Sequence, residues 1–254
     1  MRAALAQDGF AVFKSDARVR RWAAAAYRVA AGIAQDPAWR GPENLRHQRT
    51  WFVGIDALPN ETSGAIAGVP LVGPWQTSVP TLALHRAQVS IIYPGYPRQD
   101  PSQSDANHRF RRDRAAAHVD GILPIGPNKR RFAREYHAYI LSVPLNDCTV
   151  APTVVWRGSH LIMRDALRRA IADRPPAQTD VTEAYQDARR RVFDMCEKVP
   201  LCVGPGQAAL IHRFALHGTD PWPDGLSDPT GDGRMVAFFR PVFPTGAGAW
   251  LADP

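Results

Sequence analysis

The spacing of apolar positions changes period along the chain, and the changes mark its elements. Ala87-Gln88-Val89-Ser90-Ile91-Ile92-Tyr93 alternates up to Pro94, which predicts a strand with one face on a core. Residues 136–145, 153–156, 199–203, 208–214 and 234–240 predict further strands, the fourth following the third through the turn Gly204-Pro205-Gly206-Gln207. Helical spacing appears elsewhere. Asp16 is placed to cap a helix running to about Ala34 and anchored by Trp22, Tyr27 and Ile33. Two more helices are predicted at about 160–172, capped by Ser159, and about 181–197. Residues 5–13 predict a short helix, a break at Gly9 and the start of a strand. Residues 35–84 show no period and predict loop and short helical turns; residues 94–107 predict a long polar loop that caps a site. No repeat or linker divides the chain. The expected organisation is a single domain over 1–254, with a helical and irregular part (1–84) and a strand-dense core (85–243) carrying a helical insertion (160–198). The expected fold class is mainly β with helical buttresses, a barrel-like double sheet.

Composition changes this picture little. A 254-residue chain that is 45% hydrophobic has material for a substantial core, and no apolar run approaches the length that spans a bilayer. No charged-then-apolar leader follows Met1, and Cys148, Cys196 and Cys202 are odd in number without metal-ligand spacing, so a reducing, cytoplasmic location is expected. The net charge of +7 comes from arginine, with lysine only at 14, 129 and 198. Outside 109–114 and 189–191 the arginines are scattered, as on solvated surfaces, which argues against a nucleic-acid footprint. Nucleophile-elbow, phosphate-loop and complete dinucleotide patterns are absent.

Candidate chemistry centres on His118-Val119-Asp120. In an extended segment an imidazole and a carboxylate two residues apart share a side, and together they suit a divalent iron or a similar ion. A third ligand must then come from afar, and His217, at a strand end beside Gly218, is the best placed. His212 lies an odd number of residues before His217, so in a regular strand it would face away. The alternative for His118 is a surface histidine, and for Asp120 a turn cap before Gly121. Arg234 and Arg240 share a face of one apolar strand, where a buried guanidinium needs an anion. A dicarboxylate or an internal aspartate would serve.

The order of His118-x-Asp120, then 154–160 (VVWRGSH), 204–207 (GPGQ), His217-Gly218-Thr219 and Arg234 resembles the phytanoyl-CoA dioxygenase-like family, as does the opening at 8–12 (DGFAV). That resemblance implies a double-stranded β-helix, or cupin-like jelly roll, and an Fe(II)- and 2-oxoglutarate-dependent dioxygenase. It implies His118, Asp120 and His217 as metal ligands and Arg234, helped by Thr219, on the distal carboxylate of 2-oxoglutarate. Gln88 and Tyr139 would line the cosubstrate pocket, and the substrate would be a small molecule oxidised with O2. Residues 94–115 would form a lid and 160–198 would supply substrate walls. Arg157 and Gln207 depart from the family's usual proline and acidic residue, and a longer gap after His217 leaves Arg240 open as the clamp. Asp120, in place of Gly or Ala, argues against the halogenating branch. Two other readings stay in play: a nucleic-acid demethylating oxygenase, which the Arg234/Arg240 spacing also resembles, and a non-catalytic jelly-roll binding module.

Overall fold

The computed structural model describes residues 2–252. Its strands are β1 (Phe10–Phe13), β2 (Leu45–Arg46), β3 (Trp51–Leu58), β4 (Ala87–Ile92), β5 (Ile122–Ile125), β6 (Arg130–Ala133), β7 (Tyr139–Pro144), β8 (Thr153–Trp156), β9 (Lys198–Leu201), β10 (Ala208–His212), β11 (His217–Thr219) and β12 (Arg234–Phe239). The helices are α1 (Arg2–Asp8), α2 (Ala17–Gln35), α3 (Asp105–Asp113), α4 (Ser159–Ile171), α5 (Thr182–Met195) and α6 (Ala247–Leu251). A seven-stranded antiparallel sheet, in the order β1-β10-β7-β12-β4-β3-β2, faces a three-stranded sheet, β11-β8-β9; β5 and β6 form a separate hairpin.

The alternation of side chains decides what each face holds. Outward positions of the large sheet, among them Val89, Ile91, Leu141, Val143, Ala237 and Phe239, pack under α2 through Val19, Trp22, Ala26 and Ala30. The sequence permits this close approach because the buried stripe of α2 is mostly alanine. Asp16 caps the helix by accepting the Arg18 N–H at 2.8 Å. Inward positions meet the small sheet in a thinner core of Phe10, Ile140, Val155, Leu201, Ala209 and Ile211. Helices α4 and α5 cover the other side of the small sheet through Met163, Leu167, Tyr185 and Val192 against Val154, Trp156 and Leu216.

Several expectations need correction. The segment 35–84, read as irregular, contains the eight-residue β3, which makes the large sheet begin well before residue 85. The loop expected over 94–107 gives way at Asp105 to α3, a helix with no fully buried residue to betray it. The hairpin β5–β6 was also unanticipated. Ser159 does not cap α4: Gly158 is the cap, at φ 74°, and the Ser159 hydroxyl accepts the Leu216 N–H at 2.9 Å instead. In the turn at 204–207 the Gln207 side-chain oxygen accepts the Gly204 N–H at 3.0 Å, so this departure from the usual acidic residue keeps the turn closed.

His212 ends β10 and packs against His160, with ring centroids 4.7 Å apart and planes tilted by 50°. Burial, then the nearby Arg213, lowers the His212 pKa to about 2. A base depressed on folding stabilises the fold fully above its unfolded pKa near 6.5, and that contribution is lost as pH falls from there toward 2. Urea unfolding at pH 7.5 and 5.0 should therefore show a loss of about 2 kcal/mol from His212, at ~1.4 kcal/mol per pH unit below 6.5. His212→Gln should flatten the dependence by that amount; an unchanged slope would contradict the assignment.

Candidate metal centre

The segment carrying the first two site residues is not the regular strand that the spacing suggested. Ala115 and Ala116 take left-handed φ values of 52° and 51°, and His118 makes an isolated two-way bridge with His217 (2.9 and 3.1 Å). Asp120 then lies in a turn before Gly121. Two glycines make this close packing possible. A Cβ on Gly218 would lie 2.1 Å from the Ala115 carbonyl oxygen, and one on Gly121 would lie 2.2 Å from that of Glu135. The loop is held from behind by Tyr185 on α5, whose hydroxyl accepts the Val119 N–H at 3.1 Å.

This packing brings His118, Asp120 and His217 together, with one ligand atom from each lying within 4.8 Å of the others. Nε2 of His118 is 3.1 Å from one Asp120 oxygen, and Nε2 of His217 is 3.6 Å from the other. Each histidine places Nδ1 on a carbonyl, Ala116 at 3.0 Å and Ala215 at 2.9 Å. A carbonyl only accepts, so each Nδ1–H is held by a backbone oxygen and each Nε2 faces the Asp120 carboxylate, the nitrogen from which a ligating histidine would reach a metal. Burial raises the Asp120 pKa, but Arg240 and His217, with a hydrogen bond from His118, outweigh it and hold the carboxyl well below the usual range. Two imidazoles and one anionic oxygen on one side of a point fit a divalent iron and leave further coordination positions open.

The ligand set opens into a cavity of about 210 Å³. Gln88 and Thr219 are among the residues that line it. Tyr139 does not: odd-numbered positions of β7 face outward, so its ring lies on the opposite face of the sheet, beside Leu141 and against residues 62–84, and Ile140 lines the cavity in its place. Arg234 is 4% exposed and bonded through Nη2 to the Thr153 hydroxyl at 2.6 Å. Thr153 is the register partner of Thr219 and lines the cavity, so it takes the place beside Arg234 foreseen for Thr219. Among the described residues no carboxylate forms an ion pair with Arg234, and burial lowers its pKa to about 10. Arg240 behaves differently. Its guanidinium contacts Asp120 at 3.3 Å and donates to the Gln88 side-chain oxygen. Neither 94–115 nor α4 and α5 contributes a cavity-lining side chain in place of the anticipated lid and walls; the helices act as buttresses. Arg46, Trp51, Val53 and Ile55, from the segment read as irregular, form the wall instead. A larger cleft of about 830 Å³ lies between α2 and 145–150, away from the histidines.

His212, packed on His160, is not part of the centre, although for a different reason than strand parity: after β10 the chain turns through 213–216 and enters the other sheet.

Neither a family model nor a curated protein sequence matches the chain. Solved structures do. The non-heme alpha-ketoglutarate-dependent carbocyclase SnoK from nogalamycin biosynthesis superposes with a TM-score of 0.50 at 15% identity, over 99% of this chain and 90% of that one. The epimerase SnoN, solved with Fe3+, alpha-ketoglutarate and nogalamycin RO, gives 0.50 at 18% identity, over 100% and 88%. EvdMO1 gives 0.51 at 14% identity, over 96% of this chain and 49% of that one. The shared architecture is the double-stranded β-helix, so the mainly β, helix-buttressed fold expected from the sequence is the fold found. No helix among the described residues is long and apolar enough to cross a membrane.

Proposed function

We propose that this protein is an Fe(II)- and 2-oxoglutarate-dependent dioxygenase that hydroxylates a small molecule in the cytoplasm, with His118, Asp120 and His217 as the iron ligands. Iron bound there supplies the chemistry that couples O2 to decarboxylation of 2-oxoglutarate to succinate and oxidation of the substrate. The observation that carries the cosubstrate is Arg234: a buried guanidinium on the same face of β12 as the cavity-lining Phe238, set behind the lining itself, held by Thr153 and with no carboxylate paired to it among the described residues. A charge in that state calls for an anion from outside, and the distal carboxylate of 2-oxoglutarate fits its planar fork. Arg240 is already engaged by Asp120 and Gln88, so it orients the ligand carboxylate rather than clamping the cosubstrate. Ile140, Val53 and Phe238 exclude water from the cavity walls.

Succinate formation from 2-oxoglutarate, dependent on both Fe(II) and O2 and stimulated by substrate, tests the reading. A protein that binds neither iron nor 2-oxoglutarate would be the binding module instead. Tyr185→Phe provides a second check. It leaves the buried Val119 N–H without an acceptor, at about 1–3 kcal/mol, and loosens the loop carrying Asp120. Iron affinity, measured by competition with a chelator, should fall by roughly 10–100-fold.

A further inference from the structure

We propose that the substrate is an organic anion with an apolar body, and that Arg46 receives its carboxylate or phosphate at the cavity mouth while Trp51, Val53 and Ile55 receive the body. This rests on the oxygenase reading for what fills the deep end of the same cavity. Pockets that bury a whole drug-sized ligand measure roughly 300–1,000 Å³, and this cavity, at about 210 Å³, must already hold iron and cosubstrate. A substrate therefore reaches in with a narrow part and leaves the rest on the rim.

The rim has a definite chemistry. Trp51, Val53 and Ile55 alternate on the inner face of β3 and form an apolar strip that ends at Ile55, 56% exposed. Arg46 is the register partner of Trp51, its guanidinium carbon 5.9 Å from the indole centroid. Its Nε donates to the Glu43 carbonyl at 2.9 Å, and no carboxylate among the described residues pairs with it. Arg111, from α3, sits 5.2 Å from the same indole; it donates to the Tyr96 hydroxyl at 3.0 Å, its Nε is buried without an acceptor, and it too lacks a carboxylate. Two acids flank this turn: Asp100 accepts the N–H groups of His47 (3.0 Å) and Gln48 (2.8 Å), and the Glu43 carboxylate lies beside Gly41 rather than on Arg46.

Those contacts serve a purpose. His47, Gln48 and Arg49 run consecutively at φ 52°, 50° and 67°, a conformation costing roughly 1–2 kcal/mol per non-glycine residue. Strain of this kind persists where neighbouring contacts over-determine it, and it clusters at ligand clamps. The turn so held is the one that sets Arg46 opposite Trp51. A positive, aromatic and aliphatic rim favours an anion joined to a hydrocarbon and disfavours amines.

The test uses protein saturated with Zn(II) and 2-oxoglutarate and four probes: 4-phenylbutyrate, 4-phenylbutyl phosphate, 4-phenylbutanamide and 4-phenylbutylamine. Calorimetric titration should show at least one anion binding 10-fold or more tighter than the amide, and the better anion separates a carboxylate from a phosphate handle. Arg46→Gln should erase the preference and Arg46→Glu should shift it to the amine, in variants whose unfolding transitions match wild type. Equal binding of anions and amide, no saturation by any probe, or a preference that survives Arg46→Glu would overturn the proposal. So would a single-stranded oligonucleotide that binds tighter than every small anion, which would point to a nucleic-acid substrate. The thermal response of wild type to 2-oxoglutarate, read in the same samples, reports separately on the oxygenase reading.

Discussion

Arg234→Met should make the ligand-free protein more stable and, at the same time, deaf to 2-oxoglutarate. A guanidinium buried without an anionic partner is destabilising, as the lowering of its pKa to about 10 by burial expresses. Replacing such a charge by an apolar side chain of similar length is often neutral or stabilising by about 1–4 kcal/mol. The Thr153 hydroxyl loses its donor in the exchange, which places the expected gain at the low end, ~1–2 kcal/mol. Wild type, with an inert divalent metal and 2-oxoglutarate at about 100 times its dissociation constant, should gain roughly 2.7 kcal/mol, or about 5–10 °C in melting temperature for a chain of this size. In Arg234→Met that rise should vanish. Arg240→Lys should keep most of it, because Arg240 contacts Asp120 and Gln88. Differential scanning calorimetry with and without cosubstrate decides. If the two outcomes are exchanged, Arg240 is the clamp; if wild type shows no metal-dependent response, the cosubstrate assignment falls.

Asp120→Ala should remove iron and turnover while leaving the fold standing. It deletes the one anionic ligand of three, so the loss of iron affinity should exceed the ~10–100-fold typical of an outer contact. The fold should survive because Asp120 lies on a cavity wall and Arg240, partly exposed, can rehydrate when its partner is gone. Metal content by elemental analysis, beside an unfolding curve, measures both halves. Full iron content and oxygen consumption in Asp120→Ala would refute the ligand set. His212→Gln is the control: it should retain iron, since His212 packs on His160 away from the centre.

Much of the candidate site is legible in the sequence, because its residues obey local rules. His118-x-Asp120 and His217-Gly218 are compact motifs, and the parity of the strand at 234–240 puts both arginines on one face. What the sequence concealed has physical causes. The strand β3 carries apolar residues on both faces up to Ile55, and beyond Gly54 a shift in register and Asp56 at φ 51° break its alternation. The helix α3 has no fully buried residue and rests on the core through Phe110 alone among its hydrophobic side chains, which leaves no period to detect. Tyr139 is expected in the pocket from the family resemblance, whereas the parity of β7 turns Ile140 to the cavity. Thr153 escaped notice because its part depends on pairing with Thr219 across the small sheet, which no local pattern announces.

The β2–β3 hairpin that forms the mouth lies at one margin of the large sheet, whereas His118 and His217 meet through a loop and the small sheet. On the function proposed above, selectivity and reactivity would be encoded in separable parts of the chain. A lineage can rewrite residues 46–55 to take up a new compound while the reactive centre is inherited intact, and a protein engineer can graft a foreign hairpin there on the same logic.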